Sequence, residues 1–327
     1  MAIALIPSLL SAATALGGLI ISLVVLHRHV TRARHHQTSM PDNVKPTASF
    51  SGNQPAGNGQ IENLALLQEL QTAIDCDRLA LEYQPKLDLR GETILSAEAL
   101  LRWHRLDGTL AHTGDLIELV EKTSMIEDLT MWVVGQAISD SEKYLDAGFS
   151  LCVFVNISAG LLSNRAFVER LIAAVKETDA LIGIEITETA VIAKPDKAIA
   201  NLQLLAAEGV VVAIDDFGVG LSSLEYLQQL PASELKIDRN FIAKLSSSNR
   251  NPLIVKATID LAHALEMKVT AEGVDDPLSL SLLRVMGCDM AQGYLISRPL
   301  SLPEMLEYLK SGPYASCDPE AQRAASA

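Results

Sequence analysis

The stretch Val210-Val211-Val212-Ala213-Ile214-Asp215-Asp216-Phe217-Gly218-Val219-Gly220 joins five apolar residues to two adjacent carboxylates and a loop that contains two glycines. An unbroken run of Val and Ile is typical of a strand buried on both faces, as in a parallel sheet. Two neighbouring acids at the end of such a strand repel each other, and carboxylate oxygens suit hard cations such as Mg²⁺ or Mn²⁺. The alternative is that these acids cap the helix that follows the strand.

The composition argues against several classes of function. The chain has 327 residues and a net charge of −14, whereas a surface that binds DNA or RNA is basic. Its four cysteines form no Cys-x-x-Cys pair, so neither a disulfide framework nor a zinc site is indicated. Histidine pairs with metal-ligand spacing are also missing from the sequence beyond the N-terminal segment. Any chemistry of this chain is therefore expected to rest on carboxylates.

Residues 1–27 have the composition of a transmembrane anchor. No charged residue occurs from Ala2 to Leu26, and roughly 20 apolar residues are enough to cross the hydrocarbon core of a bilayer. Arg28, Arg32 and Arg34 follow directly, which predicts that the rest of the chain lies in the cytoplasm. A cleaved signal peptide is the alternative, but it would have a basic region before a shorter apolar run.

Composition divides the remaining chain into three parts. Residues 28–60 combine a basic flank with Pro, Ser, Gly, Asn and Gln, which is typical of a flexible linker. Residues 61–312 carry the apolar patterns of a folded domain. Residues 313–327 are mostly small and polar, as expected for a disordered tail.

Within the folded part, predicted strands alternate with predicted helices. The strands are expected at 79–89, 94–103, 151–155, 182–186, 210–214, 234–237, 268–271 and 289–296. The helices are expected near 61–77, 114–123, 127–147, 164–176, 195–208, 250–265 and 302–310. This alternation indicates parallel βαβ units, and about eight strands in some 250 residues favour a (β/α)₈ TIM-like barrel over an open doubly wound sheet. The predicted fold is thus an α/β barrel preceded by one transmembrane helix.

Polar residues stand at or just after the carboxyl ends of the predicted strands. In a barrel these ends surround one mouth, where functional residues are found. The residues concerned are Glu98, Arg102, Asn156, Glu185, Glu188, Asp215, Asp216, Lys236, Asp238, Glu272 and Gln292. Any one of them alone has a structural explanation, such as a buried ion pair, a turn or a surface position. Their repetition at successive strand ends predicts one polar centre.

These motifs resemble the EAL-domain family, phosphodiesterases that hydrolyse the bacterial second messenger cyclic di-GMP. The run Glu98-Ala99-Leu100-Leu101-Arg102-Trp103 is similar to the motif that names the family. The other matching motifs are Tyr83-Gln84-Pro85, Asn156-Ile157-Ser158, Glu185-Ile186-Thr187-Glu188, Asp215-Asp216-Phe217-Gly218, Lys236-Ile237-Asp238, Ala271-Glu272-Gly273-Val274, Gly287-Cys288-Asp289 and Gln292-Gly293-Tyr294. The resemblance covers roughly residues 62–310 and implies a barrel, two divalent cations and hydrolysis to linear pGpG.

The resemblance also implies a role for each residue of the polar centre. The metal ligands would be Glu98, Asn156, Glu185, Asp215, Asp216 and Glu272, with Asp215 bridging two Mg²⁺ or Mn²⁺ ions. Lys236 would hold and polarise the attacking water, and Glu272 would act as a base or as a second-metal ligand, so these two residues and Glu98 would be catalytic. Gln84, Arg102, Asp238 and Gln292 would contact the substrate, and Glu188 would steady the loop after Asp216. Ca²⁺ would bind without supporting turnover, because its coordination is looser.

The loop after the carboxylate pair departs from the family pattern. The family usually has Gly-Thr-Gly-Tyr-Ser-Ser, whereas this chain has Gly218-Val219-Gly220-Leu221-Ser222-Ser223. Val219 lacks a hydroxyl group and Leu221 lacks an aromatic ring. All metal and catalytic positions are kept, so we expect hydrolysis. The alternative is a weak or inactive EAL domain that acts as a cyclic di-GMP receptor or contacts a protein partner.

Partners and location follow from the anchor together with the resemblance. We expect a single-pass protein of the bacterial inner (cytoplasmic) membrane with its catalytic domain in the cytoplasm. Cyclic di-GMP is the expected ligand, a homodimer through the barrel is what the family suggests, and no DNA or RNA is expected to bind.

Overall fold

The computed structural model describes residues 58–76, 78–105, 109–111, 113–188, 195–218 and 227–315. The predicted anchor, almost all of the predicted linker, and Val219 and Leu221 lie outside these ranges. No helix within them is both long enough and apolar enough to cross a bilayer.

Within these ranges eight strands close into a barrel, in the order β2-β3-β4-β5-β6-β7-β8-β1, with β1 paired back to β2. The strands are β1 (Leu79–Asp88), β2 (Ile94–Trp103), β3 (Cys152–Asn156), β4 (Ile182–Thr187), β5 (Val211–Phe217), β6 (Glu234–Ile237), β7 (Lys268–Ala271) and β8 (Met290–Ala291). A further short strand, β9 (Leu300–Ser301), pairs with β1. The predicted TIM-like barrel is therefore confirmed.

Seven of the described helices follow the predicted pattern to within a few residues, and the helices at Ala159–Leu162, Arg239–Ile242 and Pro277–Met286 are not among the predicted ones. They are α1 (Asn58–Asp75), α2 (Thr113–Val120), α3 (Met125–Asp146), α4 (Ala159–Leu162), α5 (Arg165–Lys176), α6 (Pro195–Ala207), α7 (Arg239–Ile242), α8 (Asn251–Ala264), α9 (Pro277–Met286) and α10 (Leu302–Ser311). Helix α9 is absent from the sequence prediction, although its ends carry ordinary signals. Asp276 caps its first turn by accepting from the Ser279 N–H, and Gly287 ends it in the left-handed conformation.

Packed structure extends slightly beyond both predicted ends of the folded domain. Helix α1 begins at Asn58, so residues 58–60 belong to the helix and not to the linker. At the other end, Tyr314 packs against the main hydrophobic core, so the packed structure continues past residue 312. Residues 316–327 of the predicted tail lie outside the described ranges.

The first strand departs from the prediction of parallel units. Strands β2 to β8 run parallel, whereas β1 runs antiparallel to β2, β8 and β9. The reason is the short connection between Asp88 and Ile94, since a parallel pair needs a crossover of a dozen or more residues. The Asp88 carboxylate accepts from the backbone N–H groups of Arg90 and Gly91 and so fixes this tight turn.

The eighth strand is shorter than predicted. Only Met290–Ala291 is a strand, where the sequence pattern predicts residues 289–296. The chain turns away after Gln292, and the N–H groups of Ile296 and Ser297 both donate to the Gly293 carbonyl. A side chain at Gly293 would lie 2.3 Å from the Val274 backbone, so only glycine allows this close approach.

The two faces of the strands differ in chemistry. In β1, Leu81, Tyr83 and Leu87 are buried in the apolar core between the strands and the helices. The alternating residues Gln84 and Lys86 point into the barrel, because successive side chains of a strand face opposite sides. The barrel interior is therefore lined by polar and charged side chains, while the core outside it is apolar.

Candidate active site

Lys236 of β6 lies at the centre of a cluster of four carboxylates. Its side chain is fully buried, and its Nζ lies 2.5 Å from Glu185 Oε2, 2.6 Å from Glu272 Oε1, 3.2 Å from Asp215 Oδ1 and 3.5 Å from Glu98 Oε2. Glu98, Glu185 and Asp215 come from β2, β4 and β5, and Glu272 follows β7 directly. The predicted convergence of these five residues is therefore found in the structure.

Two amide side chains hold Glu98 in place. Asn156 Nδ2 donates to Glu98 Oε1 at 2.8 Å, and Gln292 Nε2 donates to Glu98 Oε2 at 2.8 Å. Burial alone would raise the pKa of Glu98, but the Lys236 ammonium and these two hydrogen bonds lower the pKa to about 2. Glu98 is therefore an ionised, oriented carboxylate at neutral pH.

The pKa values of two other carboxyl groups move upward. Burial, reinforced by the neighbouring Glu98 charge, raises the pKa of Glu185 to about 7. Burial likewise raises the pKa of Glu272 to about 8, although the Lys236 charge opposes the change. Burial tends to lower the pKa of Lys236, but the surrounding carboxylates raise it well above its usual value. Four carboxyl groups face the Lys236 ammonium, and only Glu185 among them also contacts Lys86, so negative charge exceeds positive charge among these residues.

The carboxylates of Asp215, Asp216 and Glu272 lie within 4.8 Å of one another, close enough to share a metal ion. Asp216 adopts a left-handed backbone conformation with φ of 54°, where the β5 register shifts between Ile214 and Phe217. Its N–H donates to Asp215 Oδ1 at 2.8 Å. Because of this irregularity, the carboxylates of Asp215 and Asp216 both lie at the end of β5.

The donor atoms of the cluster fit a hard divalent cation. Every candidate ligand atom is a carboxylate or amide oxygen, the set that Mg²⁺ and Mn²⁺ prefer. Among the described residues, Gln292 Oε1 is a buried acceptor without a hydrogen-bond partner, so it offers one more oxygen to the site. The site also carries more negative than positive charge, which a bound divalent cation would offset.

The remaining predicted site residues surround this centre. Gln84 Oε1 accepts from Gln292 Nε2 at 3.1 Å, and Glu188 Oε2 accepts from the Gly218 N–H at 3.1 Å. Arg102 Nε donates to Glu82 Oε2 at 2.7 Å. Arg102 also borders a cleft of about 570 Å³ that reaches Asn156 and Glu185.

Asp238, which the resemblance assigns to the substrate, has a structural partner. Its Oδ1 accepts from both the backbone N–H and the side-chain Nδ2 of Asn240, so that it caps α7. It is not among the described residues that line the cleft.

Lys86 and Glu234 belong to the same polar interior, although the sequence analysis does not single them out. Lys86 Nζ lies 2.7 Å from Glu185 Oε1 and 2.8 Å from Glu234 Oε1. Strand alternation is the signal that could have found them. Lys86 is two residues after Gln84, and Glu234 is two residues before Lys236, so each shares the inward face of its strand with a predicted site residue.

The fold and the site together define the class, an α/β barrel with an oxygen-rich candidate cation site at the carboxyl ends of its strands. The family model of the EAL domain matches residues 67–299, and this chain belongs to that family.

Two relatives from Pseudomonas aeruginosa illustrate the likeness. The chain is 37% identical over 250 residues to the bifunctional diguanylate cyclase/cyclic di-GMP phosphodiesterase MucR, covering 75% of this chain and 36% of MucR. It is 37% identical over 262 residues to the cyclic di-GMP phosphodiesterase NbdA, covering 79% of this chain and 34% of NbdA. The chain thus spans about a third of the length of these curated relatives.

Solved structures of similar domains agree with the fold. The PaMucR phosphodiesterase in complex with c-di-GMP has a TM-score of 0.70 and 35% identity, covering 74% of this chain and 99% of that one. The EAL enzyme Bd1971 in its cGMP-bound form has a TM-score of 0.72 and 31% identity, covering 77% of this chain and 71% of that one.

Proposed function

We propose that this protein hydrolyses cyclic di-GMP to linear pGpG with the help of two divalent cations. The observation that carries the proposal is the cluster of four carboxylates around Lys236, with Asn156 and Gln292 bound to Glu98. Family membership supports it, as do NbdA, which is named a cyclic di-GMP phosphodiesterase, and the c-di-GMP complex of PaMucR.

The chain offers ligands for two cations at the end of β5. Glu98, Asn156, Glu185 and Asp215 would hold one cation, and Asp215, Asp216 and Glu272 would hold the other, with Asp215 shared. Bound divalent cations supply charge that offsets the phosphodiester and lower the pKa of water in the site. The protein itself contributes carboxylates that are held in a fixed arrangement before substrate binds.

Lys236 and Glu272 form a pair suited to proton transfer. Lys236 keeps its positive charge because carboxylates surround it, and its Nζ lies 2.6 Å from Glu272 Oε1. Burial raises the pKa of Glu272 to about 8 in the absence of cations, and this carboxyl group would serve either as a general base or as a ligand of the second cation. Arg102 and Gln84 would contact the substrate, which is supported by the position of Arg102 at the cleft and by the contact of Gln84 with Gln292.

The test is hydrolysis of cyclic di-GMP by the full-length protein with Mg²⁺ or Mn²⁺, with pGpG separated by chromatography. Glu98→Gln keeps the shape of the side chain but removes its charge, and we expect at least about a 100-fold loss of activity. The matched control is Glu169→Gln on exposed α5, which should retain wild-type activity. If the wild-type protein binds cyclic di-GMP but forms no pGpG with either metal, the protein is a receptor and the proposal fails.

Ca²⁺ is expected to support binding of cyclic di-GMP but little turnover. Its flexible coordination by six to eight oxygens positions a reacting water poorly, whereas Mg²⁺ demands near-octahedral geometry. Binding and pGpG formation are measured in parallel with each ion. Equal rates with Ca²⁺ and Mg²⁺ would contradict this expectation.

We also propose that residues 1–27 anchor the protein in the bacterial inner membrane and that the barrel forms a homodimer. The uncharged run and the arginines after it support the anchor, and family resemblance supports the dimer. Membrane fractionation with alkaline extraction tests the anchor, and light scattering of the detergent-solubilised protein tests the dimer. Recovery in the soluble fraction would contradict the anchor, and a monomeric mass would contradict the dimer.

A further inference from the structure

Lys86 crosses the interior of the barrel to reach strands that are not its neighbours. It belongs to β1, which pairs with β2, β8 and β9, yet its Nζ contacts Glu185 of β4 and Glu234 of β6 at 2.7 and 2.8 Å. Its side chain is completely buried. Lys86 therefore lies inside the barrel, and it is not among the described residues that line the cleft beside Arg102.

Three groups restrain the Lys86 ammonium. Besides the two carboxylates, the centre of the Phe154 ring lies 3.7 Å from Nζ, a distance suited to a cation–π contact. Glu234 is itself held, because Thr270 Oγ1 donates to its Oε1 at 2.7 Å. The position of Lys86 is therefore set by side chains from β3, β4 and β6.

Glu185 is bound by a different lysine at each of its oxygens. Lys86 donates to Oε1 at 2.7 Å, and Lys236 donates to Oε2 at 2.5 Å. Two fixed oxygens prevent the carboxylate from rotating about its terminal bond. Lys86 thus determines which side of the Glu185 carboxylate faces the Lys236 centre.

Strand β4 leaves room for the Phe154 ring that contacts Lys86. A side chain at Gly183 would lie 2.6 Å from the Phe154 ring, so β4 has no side chain at the place where the ring supports Lys86. Stability alone is a weak explanation for the buried charges, because replacing a buried ion pair with apolar residues is often neutral or stabilising. The contact of Lys86 with Glu185 of the candidate active site explains these buried charges better.

We propose that Lys86, held by Glu234 and Phe154, is a positioning residue that orients Glu185 for cation binding. The proposal rests on the proposed function only in taking Glu185 as a metal ligand. When a group that hydrogen-bonds to a metal ligand and orients it is removed, metal affinity or activity typically changes 10- to 100-fold. Because Lys86 contacts Glu185, Glu234 and the Phe154 ring, its loss should weaken cation binding, which is measured without substrate.

The test compares Mn²⁺ binding by full-length variants in the absence of substrate, measured by electron paramagnetic resonance. The double variant K86M/E234Q removes both charges of the buried pair, and the amide introduced by E234Q keeps an oxygen for Thr270. We expect its Mn²⁺ dissociation constant to rise about 10- to 100-fold. The single variant E234Q keeps the contact between Lys86 and Glu185, so its dissociation constant should rise less than that of the double variant.

The experiment separates this proposal from the proposed function. A folded double variant with wild-type Mn²⁺ affinity would overturn the role of Lys86, as would a wild-type protein that binds no Mn²⁺. If the wild type binds Mn²⁺ but forms no pGpG, and the double variant binds Mn²⁺ weakly, only the hydrolytic function fails. Should the double variant not fold by circular dichroism, K86Q provides the same test. Its amide is too short to reach Glu185 as the lysine does, so unchanged Mn²⁺ affinity in K86Q would overturn the proposal too.

Discussion

Glu98 and Glu272 face the same lysine, yet their pKa values move in opposite directions. Burial acts on both groups, but Glu98 also accepts hydrogen bonds from Asn156 and Gln292, which favour its charged form. Glu272 receives only the Lys236 contact against its burial and the nearby negative charges, and its pKa rises to about 8. One environment thus produces both a permanently charged ligand and a group that exchanges a proton near neutral pH.

These shifts predict how stability depends on pH in the presence of EDTA. With raised pKa values of about 8 and about 7, Glu272 and Glu185 hold protons in the folded state that the unfolded chain has lost above about pH 4.5. The free energy of unfolding therefore falls as the pH rises from about 4.5 to about 8. Glu98 acts oppositely, and its contribution is lost only as the pH falls from about 4.5 towards about 2.

We accordingly expect the thermal midpoint in EDTA to fall between about pH 5 and about pH 8. Glu272→Gln should reduce this slope, because it removes one of the two groups that release a proton. The control Glu304→Gln should leave the slope unchanged, since the hydrogen bonds from Ser301 lower the pKa of this carboxyl group and place its titration in acid. A midpoint that is flat or rises over this range would contradict the expectation.

Residues at strand ends were predictable from the sequence, whereas the partners of the deeper Lys86 were not. Asp215 and Asp216 stand out because they interrupt an apolar run. Lys86 contacts residues 99 and 148 positions away in the chain, and no local pattern reveals a partner at such distance. Asp238 caps α7 through its contact with Asn240. Its position at a strand end does not reveal whether it makes such a cap or binds substrate.

At the scale of elements, β3 and β4 approach so closely that a side chain at Gly183 cannot fit. Gly183→Ala would place its Cβ 2.6 Å from the Phe154 ring, and we expect a loss of about 1–3 kcal/mol in the free energy of unfolding. Urea unfolding measures this change. The control Gly160→Ala on α4 meets nothing within 4 Å and should be neutral or slightly stabilising. Equal stability of the two variants would show that the ring moves aside without cost.

Most elements were predictable because apolar periodicity alternates cleanly between strand and helix along the domain. The direction of β1 was also implied by its short connection to β2, but strand alternation alone does not indicate direction. The early end of β8 was not predictable, since it depends on the contact of Gly293 with the Val274 backbone. Local patterns therefore predicted where elements lie better than how they join.

At the scale of the whole molecule, cation binding should stabilise the fold. The ligands come from separate strands, so the unfolded chain does not hold them together. At about 100 times its dissociation constant, Mg²⁺ should add about 2.7 kcal/mol and raise the thermal midpoint by about 5–10 °C. Calorimetry with Mg²⁺ and with EDTA measures the difference. Glu98→Gln is expected to show a smaller shift, and an equal shift in this variant would place the stabilising ion elsewhere.

The direction of β1 also sets the end of the barrel to which the preceding chain is attached. If β1 were parallel to β2, the preceding helix would join at the mouth opposite the candidate active site. Instead Leu79 at the start of β1 pairs with Trp103 at the end of β2, and α1 packs in the same apolar cluster as Trp103. Leu129 of that cluster also lines the cleft beside Arg102. Helix α1 therefore packs at the same end of the barrel as the candidate active site, against a residue that borders this cleft.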